Sequence, residues 1–381
     1  MQRERGQPEP VIVSPMTSSD SGIPSTMRAV LLTGNGGFEM LDVRDDVPVP
    51  SPGDGEVLIR VGAAGVNNTD VNTRIGWYSK SVTGDTESGG SDGFETDVDD
   101  DGAWNGIGLT FPRIQGADAA GVIVAVGDGV DAARLGDRVI VRSMQNHEPG
   151  VVDPRPSRVF GSELDGGFAE FTVAESRDAL AVECDWTDVE LASIPCAYST
   201  AEGMLQRVGL GAERVLITGA SGGVGSAAVQ LAKRRGAHVT AVCSAAKHDD
   251  VRALGADRLL DRDVDLVEAL GADSIDVVVD VVAGPTWPSL LDVLRVGGRY
   301  VVAGAIAGPL VELDVRTLYL KDLSFFGCTF QPDNILEDLV TYIEADEFRP
   351  VVSATYPLED IVTAQEDFLS KKFVGKLVLV P

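Results

Sequence analysis

The sequence predicts an α/β protein in which a β-rich block is joined to a doubly wound parallel sheet. Three features carry that expectation: short strand-like runs in the first half, a strand, glycine turn and helix in succession from Arg214, and apolar strands alternating with helices thereafter. The 381 residues suffice for two or three domains, and 44% hydrophobic against 24% charged residues suit a globular protein with a full core.

Residues 1–26 are polar and rich in Pro and Ser, which predicts a disordered tail; no apolar core follows the early arginines, so no secretory signal is expected. From Met27 the runs MRAVLLTG and EVLIRVGAAGV read as strands separated by the turn at Pro50 to Gly55. Residues 79–108 carry eight acids and one lysine, Lys80, among Gly and Ser, and read as a solvated acidic loop. GVIVAVG, DRVIVRS and GGFAEFTV continue the β-rich block. After Asp188 the rhythm changes: RVLITG leads into a helix through Lys233, HVTAVCS precedes HDDVRALG, and IDVVVDVV precedes SLLDVLRVG, RYVVAGA and LSFFGC. Apolar strands alternating with helices need a parallel sheet covered on both faces. A helix from Asn334 to Ala345 then gives way to a β-rich ending, GKLVLVP. The expected division is therefore a first unit of residues 27–187 and 346–381 interrupted by a second of 188–345.

Acidic residues number 59 against 31 basic ones, for a net charge of −28. That surface repels nucleic acid and anionic lipid, so neither is an expected partner. Abundant acid with Arg far above Lys resembles the proteins of salt-in halophiles, in which about 1 M salt shrinks the Debye length to about 3 Å and screens the self-repulsion. No apolar run reaches 18 residues, so no membrane span is expected and the anticipated location is cytoplasmic. Cys184, Cys196, Cys243 and Cys328 lie too far apart for a CxxC zinc lobe or a disulfide scaffold.

The strongest motif runs from Arg214 to Ser244. A strand enters the turn Ala220, Ser221, Gly222, Gly223, Val224, Gly225, and a helix leaves it. Gly222 lets backbone approach a pyrophosphate, Gly225 lets helix pack on strand, and the helix N-terminus presents free N–H groups to phosphate. Ala220 stands where the first glycine of G-x-G-x-x-G is usual. The setting predicts dinucleotide binding, against a turn of purely structural purpose. Where an NAD site places Asp or Glu at the end of the second strand, this chain has Cys243 and Ser244, then Lys247. A hydroxyl and an ammonium attract a 2′-phosphate, and one or two charge-assisted hydrogen bonds favour NADP(H) by about tenfold or more. Arg262 adds a second cation; the plain alternative for Lys247 and Arg262 is solvated surface charge.

With GVNNTDVNTRIGWY (Gly65 to Tyr78), QGADAAGVIVAVG (Gln115 to Gly127), GGFAEF (Gly166 to Phe171), ASGGVGSAAVQLAK and GKLVLVP in view, the chain resembles the medium-chain dehydrogenase/reductase superfamily from Met27 to Pro381. It is most similar to the zinc-free quinone oxidoreductase branch. The resemblance implies a GroES-like catalytic domain interrupted by a Rossmann domain. It also implies that Asn67 and Tyr78 line the substrate cleft, Asn67 as an orienting amide and Tyr78 as an oxyanion or proton donor. For Tyr78 the alternative is a packing aromatic. Thr200, in AYST, matches a residue touching the nicotinamide. Asp70 reads as a loop-fixing carboxylate rather than a base.

The similar zinc-dependent branch fails to match at its metal ligands: Asn67 and Ala117 stand where Cys and His would be, and only Cys196 fits. One thiolate cannot hold a metal that needs three or four donors, so no metal site is expected. His147, His238 and His248 have no ligand-like neighbours in sequence. Without a Lewis acid, hydride addition to a quinone or enone is the accessible chemistry, because charge delocalises onto the acceptor oxygen. The expected activity is NADPH-dependent reduction of a quinone or enone. Zinc alcohol dehydrogenase, enoyl-thioester reductase and a non-catalytic NADPH-binding protein are the rival readings. Relatives in this branch commonly pair Rossmann edge strands, and LSFFGCTF (Leu323 to Phe330) is an apolar strand suited to a homodimer.

Overall fold

The computed structural model describes residues 22–94, 101–104, 106, 108–145 and 158–381. The expected tail as far as residue 21, part of the acidic stretch and His147 lie outside the described residues.

Six strands form one wholly parallel sheet in the order Arg258–Leu260, His238–Val242, Arg214–Ile217, Ile275–Asp280, Leu294–Val302, Ser324–Gly327. Numbered along the chain this is 3-2-1-4-5-6, the doubly wound order whose switch point lies beside the first strand. The apolar strands are buried on both faces: Val215, Leu216, Ile217, Val277, Val278 and Val279 are all fully covered. The helix Gly223–Arg234 turns Ala227, Val229, Leu231 and Ala232 to the sheet and ends in Lys233 and Arg234, cations that suit a helix C-terminus.

The β-rich block is a second sheet built around the long strand Glu56–Val66, which pairs with Ala120–Val126 and with Phe171–Glu175. The chain's last strand, Lys376–Val380, returns to this sheet antiparallel to Glu56–Val66, with Val352–Pro357 beside it. That return places residues 371–376 against the glycine turn, where Gly375 N donates to Ser221 O at 2.9 Å.

Residues 79–94 of the acidic stretch depart from the solvated loop expected of them. Asp85 caps a short helix, Thr86–Gly89, by accepting from Ser88 N at 2.7 Å. Thr86 is fully buried, and its N donates to Ile306 O of the parallel-sheet unit at 3.3 Å. The fully buried Arg74 guanidinium holds the segment down through Gly90 O (2.5 Å), while also donating to Gly36 O and Gln365 Oε1 (both 2.9 Å). Glu87 and Asp92 face solvent while Val82, Gly89, Gly90 and Ala103 pack inward. Small residues between the acids permit this packing, and net composition hides it.

Among the described residues, the strand Ser324–Gly327 forms one free edge of the parallel sheet and Arg258–Leu260 the other. Around Ser324–Gly327 lie exposed apolar side chains: Val296, Leu310, Val315, Tyr319, Leu320 and Phe325.

Candidate active site

The turn after strand Arg214–Ile217 is shaped by three glycines. Gly219 has φ +57, and a Cβ there would come within 2.9 Å of Val281. A Cβ on Gly225 would lie 2.1 Å from Gly219 O, so the helix can approach the strand only with glycine at that position. Gly222 caps the helix and is exposed, and its nearest neighbour would be 3.5 Å from a Cβ. Protein packing therefore does not demand glycine at 222, and the space before the helix start is open. The first amides of the helix, on Gly223, Val224 and Gly225, have no intrahelical acceptor and point into that space. Ala220 is buried, its N donating to Val242 O at 3.1 Å. Gly219 was present in the motif without an assigned part; its position directly at the strand exit is the signal that marks it.

Cations gather beside the turn. Lys247 Nζ donates to Lys371 O (2.7 Å), Phe373 O (2.8 Å) and Ser221 Oγ (3.4 Å), and burial with the nearby Arg262 charge lowers its pKa. Ser244 is half-buried at the start of the turn that carries Lys247. Arg262 is largely exposed, with Asp263 at 4.0 Å as its ion-pair contact among the described residues. Lys371, which sequence reasoning passed over, lies over the Phe368 ring at 4.5 Å and within electrostatic reach of Lys247; burial lowers its pKa. Asp250 and Asp261 also approach this corner, acting on Lys247 and on Cys243 respectively.

Across the cleft, Asn67 precedes the helix Asn68–Arg74. Its Nδ2 donates to Asp118 Oδ2 (2.7 Å) and Gly65 O (3.2 Å), and its Oδ1 accepts from Lys376 Nζ (2.5 Å). Lys376 Nζ also reaches Asp118 Oδ2 (2.8 Å) and Val66 O (3.2 Å), so its three protons have three acceptors. Asp118 Oδ1 accepts from Cys196 N at 2.6 Å, and both Asp118 and Lys376 are buried. Both Asn67 amide hydrogens are thus committed to protein acceptors. Asn67 acts on the cleft through this network and gives no hydrogen to a bound molecule. Asp70 accepts from Asn67 N (2.7 Å) and Ala117 N (3.0 Å), fixing the two loops together, and burial pushes its pKa up to about 7.

Of the three positions a zinc ligand set would occupy, Asn67 is engaged as above, Ala117 has no donor, and the Cys196 thiol has its pKa raised by burial and by the Asp118 charge. An ammonium ion 2.5 Å from Asn67 Oδ1 would repel a divalent cation. These residues do not fit zinc. Among the described residues no group of three or more His, Cys, Asp or Glu is placed to hold a metal ion.

Tyr78 stands beside Cys196 and Asp70, and its OH donates to Thr69 Oγ1 at 3.0 Å. Burial raises its pKa, so the phenol keeps its proton at neutral pH. Thr200 lies in the first turn of the helix Ala197–Arg207, with its Oγ1 donating to Cys196 O (2.7 Å) and accepting from Gln331 Nε2 (3.4 Å). Tyr78 and Thr200 therefore both lie beside Cys196, and the glycine turn approaches the same helix, a Cβ on Gly223 falling 3.4 Å from Ala197. Asp118 and Lys376 were missed in sequence, although a lone charge inside the apolar GKLVLVP is itself a signal of a buried partner.

Comparison with known proteins agrees with this architecture. Residues 53–183 match the alcohol dehydrogenase GroES-like domain family, and residues 223–345 match the zinc-binding dehydrogenase family. A quinone oxidoreductase of Lama guanicoe is 30% identical over 371 residues, covering 93% of this chain and 97% of that protein. An acryloyl-coenzyme A reductase of Metallosphaera sedula is 30% identical over 366 residues, covering 93% and 99%. A solved structure from Sinorhizobium meliloti, described as an alcohol dehydrogenase, is 46% identical with a TM-score of 0.84, covering 94% of this chain and 98% of that one. On its glycine turn, its two sheets and these full-length likenesses, the chain belongs to the medium-chain dehydrogenase/reductase superfamily and is an oxidoreductase of that type.

Proposed function

We propose that this chain is a zinc-independent, NADPH-dependent reductase of quinones or α,β-unsaturated carbonyls. The observation that carries it is the replacement of a metal ligand set by the Asn67–Asp118–Lys376 network beside a protonated Tyr78. NADPH, when bound, supplies a hydride to the electrophilic carbon of the acceptor. Gly222 to Gly225 would hold its pyrophosphate, and Ser244 and Arg262 would take its 2′-phosphate, with Lys247, engaged by Lys371 O, Phe373 O and Ser221 Oγ, adding its charge and Lys371 adjacent. Thr200 orients the nicotinamide ring. Tyr78, by rotating its single O–H away from Thr69 Oγ1, donates a hydrogen bond to the oxygen that gains charge, and the resulting enolate or quinol anion takes one proton to complete the reduction.

The test is a panel of quinones, enals and enones with NADPH and with NADH, before and after exhaustive EDTA treatment. NADPH turnover should survive EDTA, with kcat/KM about tenfold or more above NADH from the extra charge-assisted contacts. Lys247→Ala should raise the KM for NADPH and leave that for NADH nearly unaltered. Equal or better kcat/KM with NADH removes the cofactor assignment. The likeness to an acryloyl-coenzyme A reductase favours a second reading, an enoyl-thioester reductase. Crotonyl-coenzyme A turned over far faster than crotonaldehyde would select it.

The apolar residues around the free edge Ser324–Gly327 support a homodimer, because pairing covers an edge that otherwise invites aggregation. Light scattering should give twice the 40.1 kDa chain mass. A monomer mass at micromolar concentration counts against it.

A further inference from the structure

We infer that Trp104, carried by the acidic stretch, is a specificity-determining residue that favours planar conjugated-ring acceptors over acyclic ones. The inference rests on the reductase reading above. Trp104 is half-buried, with its ring centroid 5.0 Å from that of Tyr78 and the planes 56° apart. It also packs against Met144, Val159 and Phe330, a small apolar cluster separate from the main cores. Phe330 precedes Gln331, whose Nε2 donates to Thr200 Oγ1, and Phe330 O accepts from Arg207 at 3.0 Å. Tyr78 and Trp104 therefore form an aromatic wall that starts beside Cys196 and passes into the Met144, Val159 and Phe330 cluster, next to the Gln331 that bonds Thr200.

Neighbouring Ala103 is buried, and residues 86–90 of the same stretch are fastened by Arg74 to Gly90 O and by Thr86 N to Ile306 O. A flat ring lying along this wall would keep offset-stacked or edge contacts with Trp104 while its carbonyl oxygen meets Tyr78. An acyclic enal reaches Tyr78 but leaves Trp104 uncovered. One aromatic contact of this kind changes binding by up to about tenfold.

The experiment compares kcat/KM for 1,4-naphthoquinone with that for methyl vinyl ketone in the wild type, Trp104→Ala and Trp104→Phe. The ratio should fall about tenfold in Trp104→Ala and return to within about threefold of wild type in Trp104→Phe. Should the alanine variant fail to fold, Trp104→Leu keeps apolar bulk without the ring and takes its place. An unchanged ratio overturns the inference while leaving the reductase reading intact. A wild type that turns over neither acceptor overturns the reductase reading. Calorimetric titration of 1,4-naphthoquinone into the NADP⁺-loaded protein then decides Trp104 by itself. A dissociation constant raised about tenfold in the variant supports the wall, and an equal constant, or no binding to the wild type, overturns it.

Discussion

Lys376→Met should destabilise the protein by about 3–5 kcal/mol, the cost of leaving one member of a buried ion pair without its partner. The substitution keeps a chain of similar length in a site where Lys376 is 3% exposed and Asp118 is fully covered, so the loss isolates charge from packing. Asp118 would retain the Asn67 amide and Cys196 N but lose its only ion-pair contact among the described residues, at 2.8 Å. The double variant Lys376→Met with Asp118→Asn should recover much of the loss, a coupling that a double-mutant cycle reads directly. Calorimetric melting of the four proteins checks it. A single variant within about 1 kcal/mol of wild type, smaller than any broken buried pair should give, would show that the ammonium is dispensable.

This pair also marks where sequence reasoning stops. The strand, turn and helix from Arg214 to Arg234 were legible because every determinant lies within some 20 residues: apolar run, glycines, helix, in order. Asp70 as a loop-fixing carboxylate was legible for the same reason, since the Asn67 N–H it accepts lies three residues away. Lys376 lies 309 residues from Asn67 and 258 from Asp118, and only the return of the last strand to the first sheet brings them together. Asn67 could be placed in the cleft by likeness, but the destination of its amide hydrogens depends on those distant partners. The acidic stretch failed differently. Its charge count dominated the reading, although burial is decided by the small residues between the acids and by Arg74, a cation belonging to another element. Lys371 was passed over because nothing local ties it to Lys247, 124 residues away, whose ammonium reaches its carbonyl.

Tyr78→Phe should lower kcat by about 10²–10³, or roughly 3–4 kcal/mol of barrier, if the phenol stabilises the oxygen that gains charge. Phenylalanine keeps the ring contacts with Trp104 at 5.0 Å and with Trp77 at 5.8 Å, and deletes only the OH that donates to Thr69 Oγ1 at 3.0 Å. Loss of that single neutral hydrogen bond alters stability by about 1 kcal/mol, too little to imitate the kinetic effect. Binding and chemistry separate in the same measurement. A donor that acts in the transition state lowers kcat and kcat/KM together, whereas a residue that merely shapes the cleft raises KM with kcat preserved. Because burial keeps the phenol protonated, the wild-type kcat should show no loss attributable to Tyr78 ionising through the neutral range. Steady-state kinetics on the best acceptor, with melting temperatures as the control for folding, checks all three statements. A kcat within about threefold of wild type, against the 10²–10³ expected for a lost oxyanion donor, would make Tyr78 a packing residue. The rate would then rest on how Thr200 and the glycine turn align the nicotinamide with the acceptor.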